Sequence, residues 1–329
     1  MKLFANVPSL GTAVAITVWM AAPPANAAVI RVPQQAATVQ DAVDAASPGD
    51  QIRVGPGQWC GATITTPVNL IAEGQATIVG CPAPALFGVL RAGFFLPNGA
   101  ASGTTIRNFT FDGRGTSNSN LDPLAFAVFA RDADNVVVEG NTVLGTIQPI
   151  TDTRGDGWVV THNSIVDYSA LTCDGFCGGG DAIVFQERTG VSRGRNNSAT
   201  FNVITGRIPD TLNEFSLTGI LALNQDGTQI TNNRISIAGN PLAAGTGEAI
   251  VITDHCCGVP VGYLTSINSY IVNNDGRGSD FAVVIENDAS GGDGNAEGAR
   301  LRGNFGVNDI NGTTSVIKNR SVATLVVFP

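Results

Sequence analysis

Charged and amide side chains follow a set of short apolar segments in this sequence. The segments begin at Ala127, Ala182, Gly219, Ala249 and Phe281. The polar residues at or near segment ends are Asp132, Arg154, Glu187, Asn224, Asp254 and Glu286, with Arg131, Arg188 and His255 adjacent to them and Asp181 and Glu248 at segment starts. Carboxylates and an imidazole can act as general acids and bases, and guanidinium groups bind carboxylates and other oxygens. The chemistry available is therefore proton transfer beside an oxygen-rich ligand.

A second recurring unit indicates which elements hold these side chains. In it an asparagine is followed by an alternating apolar stretch, at Asn108, Asn141, Asn163, Asn202, Asn233, Asn268 and Asn304. The stretches alternate with period two over a few positions, and Gly, Asn and Asp separate them, which is typical of strands and corners. Because one kind of strand returns once per repeat, the pattern favours parallel stacking in a solenoid. We expect the asparagines to form a structural ladder between coils, since their amides can reach one another about 4.8 Å along the axis.

These repeats, with the opening segment 38–57, resemble the pectin-lyase-like β-helix superfamily. The resemblance implies an all-β, right-handed, single-stranded parallel β-helix of roughly 9–11 coils. It also implies a short capping helix over residues 38–47, which would protect the open end of the first coil. The motifs of the superfamily's hydrolases and alginate epimerases are not matched, and after leader removal Lys318 is the only lysine available as a lyase base. The resemblance therefore predicts the fold and leaves the reaction open.

Loop lengths vary most at the two ends of the apolar segments, so we expect loops there to flank a groove on one parallel sheet. Glu187 and Asp254 would lie two coils apart, roughly 9 to 10 Å, close to the wide carboxylate spacing of inverting glycosidases. The catalytic candidates are Glu187, Asp254, His255 and Arg188. The candidates for substrate binding are Arg131, Asp132, Arg154, Asp181, Asn224, Glu248 and Glu286. The alternative is that the same row is a surface ladder of ion pairs and amides.

The functional hypothesis is a secreted protein that binds a polysaccharide or surface glycan along this groove and could also cleave it as a hydrolase or lyase. The alternative is a non-catalytic adhesion or structural protein of the cell surface. The net charge of −9 and the scattered arginines argue against nucleic acid. We predict a monomer without a cofactor; one Gly-Gly-Asp-Gly-Asn stretch at 291–295 leaves calcium open, because such sites need stacked copies.

The N-terminus has the form of an export signal. Lys2 is followed by an apolar run from about Leu10, and Ala25-Asn26-Ala27 has the small-residue pattern of a cleavage site. We therefore expect residues 1–27 to be removed, residues 28–329 to form one periplasmic or extracellular domain, and no membrane span.

Six cysteines in an exported chain predict up to three disulfides. Cys60 and Cys81 are about one coil apart, whereas Cys173 with Cys177 and Cys256 with Cys257 are close in sequence. A metal–thiolate site in these last four is the alternative, although the histidine ligands and the spacing of a zinc module are missing.

Overall fold

The described residues of the computed structural model form three long sheets, which we name A, B and C. These residues are 27–83, 85–86, 90–114, 124–168, 180–187, 192–207, 217–239, 247–253, 264, 266–285, 299–310 and 313–316. From Gln51 to Thr253 each coil visits sheet A, then B, then C, and neighbouring strands of successive coils run parallel. Antiparallel pairs occur where Ala85–Leu86 meets Leu90–Leu96 and where Val307–Ile310 meets Thr313–Val316. This is the parallel β-helix that the repeats predict.

The strand bounds are as follows. Sheet A contains Val29–Val32, Gln51–Val54, Asn69–Ala72, Thr105–Arg107, Val137–Glu139, Val159–Thr161, Ser198–Thr200, Gln229–Thr231, Tyr270–Val272 and Arg300–Arg302. Sheet B contains Gly57–Cys60, Ala76–Val79, Thr110–Asp112, Thr142–Leu144, Ser164–Tyr168, Val203–Arg207 and Arg234–Ala238. Sheet C contains Ala62–Thr63, Ala85–Leu86, Leu90–Leu96, Leu124–Arg131, Ile150–Thr153, Asp181–Gln186, Leu217–Leu223, Gly247–Thr253, Val283–Ile285, Val307–Ile310 and Thr313–Val316. A small fourth sheet pairs Gly194–Arg195 with Gln225–Asp226.

One apolar core runs along the axis of the helix. It is built from alternate residues of the three sheets, such as Ile106 of sheet A, Phe111 of sheet B and Phe94 of sheet C, all fully buried. The Phe94 and Phe111 rings meet edge to face with centroids 5.6 Å apart. Because every coil buries its apolar residues against the coils on either side, no single coil could form this core alone.

An asparagine ladder joins sheets A and B at their shared corner. Its members, whose side chains bond from coil to coil, are Asn141, Asn163, Asn202, Asn233, Asn274 and Asn304. The residue before each member turns the chain with a left-handed backbone, for example Gly140 at φ 67° and Asn232 at φ 58°. The predicted ladder is confirmed as a structural feature.

Two predicted members of the ladder are wrong. Asn108 occupies the left-handed position (φ 64°), and the following residue, Phe109, donates its N–H to Asn141 Oδ1 at the ladder's first step. Asn268 lies at the opposite corner, before sheet A, where its amide donates to Asp226 Oδ1 at 2.9 Å. These two asparagines were misassigned because both corners place asparagine ahead of an alternating strand. Spacing in the sequence does not distinguish the two corners.

A short helix and a disulfide close the N-terminal coils. The helix spans Val39–Ala45 and begins with a capping box in which Thr38 and Asp41 satisfy each other's backbone N–H groups. Its buried residues include Val39 and Val43. The predicted disulfide between Cys60 and Cys81 is present and links the end of one sheet B strand to the segment just beyond the next. Cys173, Cys177, Cys256 and Cys257 lie outside the described residues.

Candidate functional site

Sheet C aligns the ends of its strands on successive coils. Arg131 pairs with Thr153, Thr153 with Gln186, and Gln186 with Leu223. The residues that follow these strand ends are Asp132, Arg154, Glu187 and Asn224. The structure therefore brings these four candidates into one column, about 4.8 Å apart from coil to coil.

The backbone of this column turns the chain from sheet C towards sheet A. Asp132, Arg154 and Asn224 have left-handed φ angles of 55°, 67° and 53°. Asp and Asn tolerate this conformation, whereas it is uncommon for a long side chain such as arginine. A strained arginine is retained here next to an aspartate that it binds.

Part of the column is the ion-pair ladder that the sequence left as an alternative. The Arg154 guanidinium donates two hydrogen bonds to the Asp132 carboxylate, each of 2.7 Å. Asp132 is the main cause of the raised pKa of Arg154, and the charge of Glu187 adds to it. The Asn224 amide donates to the Glu187 backbone carbonyl at 2.6 Å. The Arg131 guanidinium lies over the Phe129 ring, 5.5 Å from its centroid. Asp132 and Arg154 thus already bind each other.

A second polar column lies at the starts of the sheet C strands. Asp181 pairs with Thr218 and Thr218 with Glu248, so the two carboxylates are two coils apart, or about 9.6 Å at the backbone. The Thr218 hydroxyl donates to Glu248 Oε2 at 3.5 Å. Asp280 lies one position before this column and accepts the Gly247 N–H at 3.1 Å. This edge of sheet C is acidic.

Tyr168 lies under the acidic edge. Its side chain is fully buried, and its hydroxyl donates to the Thr218 carbonyl at 2.7 Å. Burial raises the pKa of Tyr168 well above its usual value, and the charges of Asp181 and Glu248 raise it further. The tyrosine therefore remains a neutral donor that holds the start of the Leu217–Leu223 strand in place.

Between the two polar columns, the outer face of sheet C is apolar. Val184, Leu221, Val251 and Val284 form a cluster separate from the main core, and each is at most 6% exposed. Val184 lies between Ile183 and Phe185, which belong to the main core, so successive residues serve opposite faces. Nearer the N-terminus, Phe126 and Phe129 form a similar cluster. The apolar strip was missed from sequence, although continuous runs such as Ala182 to Phe185 indicate strands buried on both faces.

Two buried polar atoms at this face accept or donate no hydrogen bond within the described part of the chain. One is the hydroxyl of Thr151, which lies in the outward column between Phe129 and Val184. The other is Oδ1 of Asn224, at the end of its strand. A buried polar atom without a partner costs roughly 1 to 3 kcal/mol, so we expect each of these two atoms to hold a bound water.

Asp152 is a buried acid that sequence reasoning did not single out. It lies one residue after Thr151 and faces the interior, where the Gly155 N–H donates to Oδ1 at 2.9 Å. The Asn197 amide lies 3.5 Å from Oδ2, at the limit of a hydrogen bond. Burial raises the pKa of Asp152 well above its usual value, and nearby carboxylates, including Asp156, Asp134 and Glu187, raise it further. Its full burial separates it from any ligand on the outer face.

Several residues with functional side chains lie away from the two polar columns or outside the described residues. Asp254, His255, Arg188 and Glu286 fall outside the described residues, as does the 291–295 stretch. His162 is at the asparagine corner, away from sheet C, where its ring stacks on Phe201 with centroids 5.1 Å apart. Trp158 is fully buried and donates its indole N–H to the Ala133 carbonyl.

The described residues contain neither a cluster of metal ligands nor a helix that could cross a membrane. No three His, Cys, Asp or Glu side chains come together there as a set that could hold a metal ion. None of the helices found in those residues has the length and apolar character that crossing a bilayer requires.

Comparison with known proteins bears on the fold. No protein-family model matches the chain, and no curated protein matches it in sequence. A crystal structure of pectin methylesterase in complex with a hexasaccharide is similar over 91% of this chain and 93% of that one, with a TM-score of 0.50 and 13% identity. A surface adhesin of Streptococcus pneumoniae matches over 86% of this chain and 92% of its own, with a TM-score of 0.32 and 12% identity. This chain therefore has the right-handed parallel β-helix fold that its sequence predicts, a fold it shares with pectin methylesterase.

Proposed function

We propose that this protein binds a neutral, hydroxyl-rich polysaccharide along the outer face of sheet C. The observation that carries the proposal is the pair of polar columns on this sheet: Asp181, Thr218 and Glu248 align at the strand starts, and Glu187 and Asn224 align at the strand ends. Each coil repeats the arrangement after about 4.8 Å, which suits a ligand that is itself a chain.

The arrangement matches the chemistry of a sugar ring, whose hydroxyls need hydrogen-bond partners at the ring edges. Carboxylates are strong acceptors, and hydrogen bonds to them are stronger than those between neutral groups. Asp181 and Glu248 supply acceptors at one edge, and Glu187 and the Asn224 amide lie at the other.

The charges of the face favour a neutral sugar over a uronate. Asp181, Glu187, Glu248 and Asp280 all belong to sheet C coils or their immediate ends, and the whole chain has a net charge of −9. The negative net charge of the chain disfavours a ligand that carries many carboxylates. Pectin methylesterase, a protein of this fold, has been crystallised with a hexasaccharide. That complex supports the expectation that a solenoid of this fold accommodates a chain of sugars. The acidic edge of sheet C supports a neutral sugar chain here.

The test is the binding of neutral polysaccharides, such as glucans, mannans and galactans, compared with polygalacturonate, measured by affinity electrophoresis and calorimetry. We expect binding to at least one neutral polymer, with affinity reduced about tenfold in Glu248→Gln, because an acceptor for a sugar hydroxyl becomes a weaker neutral one. Glu139→Gln is the matched control, since Glu139 lies on sheet A and binds Arg107 there. If the wild type binds none of the neutral polymers, or if both variants lose affinity equally, the proposal is wrong.

Cleavage of the bound polysaccharide is a second candidate function. It is favoured by Glu187, which is 5% exposed at the end of its strand and lies near enough to Asp152 to influence that group's pKa. Asp254, His255 and Arg188 complete the set of catalytic candidates from the sequence. We expect wild-type protein to release reducing ends from the polymer that it binds, and Glu187→Gln to lower that rate at least about 100-fold, as expected for loss of a general acid or base. Binding without release of reducing ends or of unsaturated products would reject cleavage and retain the binding function.

A further inference from the structure

The arginines on the outer face of sheet A differ between the two ends of the β-helix. Near the N-terminus, Arg31 and Arg53 both bind Glu73, with N–O distances of 3.0 and 2.8 Å. One coil beyond, Arg107 binds Glu139 at 2.8 Å. Each of these guanidinium groups thus binds a carboxylate on a nearby coil, with Glu73 shared between Arg31 and Arg53.

At the C-terminal end of sheet A, the arginines do not have such carboxylate partners among the described residues. Arg300 and Arg302 lie two residues apart on the same strand, so both point outward, and both are exposed. Arg234, on the neighbouring sheet B, is also exposed. Within the part of the chain that the structure describes, none of these three arginines forms an ion pair. In a chain with a net charge of −9, a group of unmatched cations calls for an explanation.

The aromatic residues Tyr270 and Phe305 lie among these cations. Tyr270 pairs in register with Arg300 and is 41% exposed, and Phe305 is 56% exposed. The Arg277 guanidinium lies over the Phe305 ring, 5.6 Å from its centroid. Large apolar groups that remain half exposed beside arginines are typical of a binding surface rather than a core.

The carboxylate at the centre of this surface is already neutralised. Asp275 pairs in register with both Arg234 and Phe305, and it accepts two hydrogen bonds of 2.8 Å from Arg277. The hydrogen bond from Arg277 is the main cause that lowers the pKa of Asp275 to about 2, and the charge of Arg234 contributes. The aspartate therefore orients Arg277 without cancelling the charges of the other three arginines.

We propose that Arg234, Arg277, Arg300 and Arg302, together with Tyr270 and Phe305, form an arginine patch that binds an anionic polysaccharide through its sulfate or carboxylate groups. Planar guanidinium groups bind such oxyanions with paired hydrogen bonds, and Tyr270 and Phe305 offer apolar contact to sugar rings. The patch lies on sheets A and B, so it is distinct from the neutral-sugar face on sheet C. A nucleic acid is a poorer partner, because four cations on a chain of net charge −9 cannot offset its dense phosphates.

Dextran sulfate and uncharged dextran are the probes that test the patch, since they share a backbone and differ in charge. We expect the wild type to bind dextran sulfate with an affinity that falls as salt rises, because the contacts are exposed and screened. In Arg300→Gln/Arg302→Gln the affinity should fall at least about tenfold, since charge-assisted hydrogen bonds are lost. Arg53→Gln/Arg107→Gln removes the same charge from the same sheet face but from matched arginines, and it should change the affinity less than about twofold.

Further variants separate this proposal from the function proposed for sheet C. Phe305→Ser keeps every charge and should still weaken dextran sulfate binding about threefold through the lost aromatic contact. Glu248→Gln should leave dextran sulfate binding unchanged, and the arginine variants should leave neutral-polysaccharide binding unchanged. The arginine patch is rejected if the two double variants lose affinity equally, if the wild type does not bind dextran sulfate, or if DNA or anionic vesicles bind more tightly than the sulfated glycan. It is also rejected if sedimentation shows that the arginines instead hold two copies of the chain together.

Discussion

Asn202→Ala will lower the free energy of unfolding by about 4 kcal/mol, because it interrupts the asparagine ladder at a fully buried step. Asn202 Oδ1 accepts from the backbone N–H and the amide of Asn163, each at 3.0 Å. Its own amide donates to the Val160 carbonyl and to Asn233 Oδ1, also at 3.0 Å. Alanine leaves the Asn163 N–H and the Val160 carbonyl buried without these partners, and each such loss costs roughly 1 to 3 kcal/mol.

Urea unfolding measures this change, and a matched control lies thirty residues further along the same corner. Asn232→Gly replaces an exposed asparagine at φ 58° that is not a ladder member. Glycine adopts this backbone conformation readily, so the free energy of unfolding should change by less than about 1 kcal/mol. A loss in Asn202→Ala no larger than that in the control would contradict a stabilising role for the ladder.

Asp152→Asn will stabilise the protein at neutral pH and remove a pH dependence that the wild type shows. The folded protein raises the pKa of Asp152 well above the unfolded value, chiefly through burial, so the folded state holds this proton more tightly. Below the unfolded pKa, near 4, both states are protonated and the group has no effect on stability. As the pH rises, the unfolded chain ionises first, and stability falls by about 1.4 kcal/mol per pH unit until the folded pKa is reached.

The asparagine side chain keeps an acceptor for the Gly155 N–H and cannot ionise, so the variant should lose this decline with rising pH. Unfolding midpoints of wild type and variant should agree near pH 4 and diverge above it, with the variant the more stable. Asp44→Asn changes an exposed carboxylate of the N-terminal helix that is not among the charges raising the pKa of Asp152, and it serves as the control. Parallel stability curves for wild type and Asp152→Asn across this range would show that the buried carboxyl does not titrate as described.

Some of the fold could be read directly from the sequence because its signals are local and repeated. Period-two strands and recurrent asparagines predict parallel coils, and Cys60 and Cys81 are one coil apart, as the disulfide confirms. The ladder frame was misassigned at Asn108 and Asn268 because the two asparagine-containing corners look alike locally. Which asparagine points inward depends on the path of the whole coil, and a one-residue shift reverses the side of every side chain.

The sequence predicted where the strand-end residues of the candidate site lie, but not which partners their side chains bind. The strand-end column of Asp132, Arg154, Glu187 and Asn224 follows from counting residues along similar strands, and the register places these residues together. Their partners did not follow from counting, because the Arg154 side chain could have turned towards a ligand and instead binds Asp132. The proposed binding function depends more on the strand-start residues Asp181 and Glu248 than on the catalytic candidates from the sequence.

The sequence by itself predicted a parallel solenoid, its capping helix, the placement of Cys60 and Cys81 one coil apart, and the strand ends at which polar residues collect. Only the tertiary structure decided which of the distant charges form ion pairs, because Arg31 binds Glu73 and Arg154 binds Asp132 across distances set by the stacking of coils. Arg31 and Arg302 look equivalent in sequence, yet Glu73 neutralises the first, and no described carboxylate forms an ion pair with the second. Scattered arginines became a local patch because stacking converts a repeat of thirty or so residues into a step of about 4.8 Å.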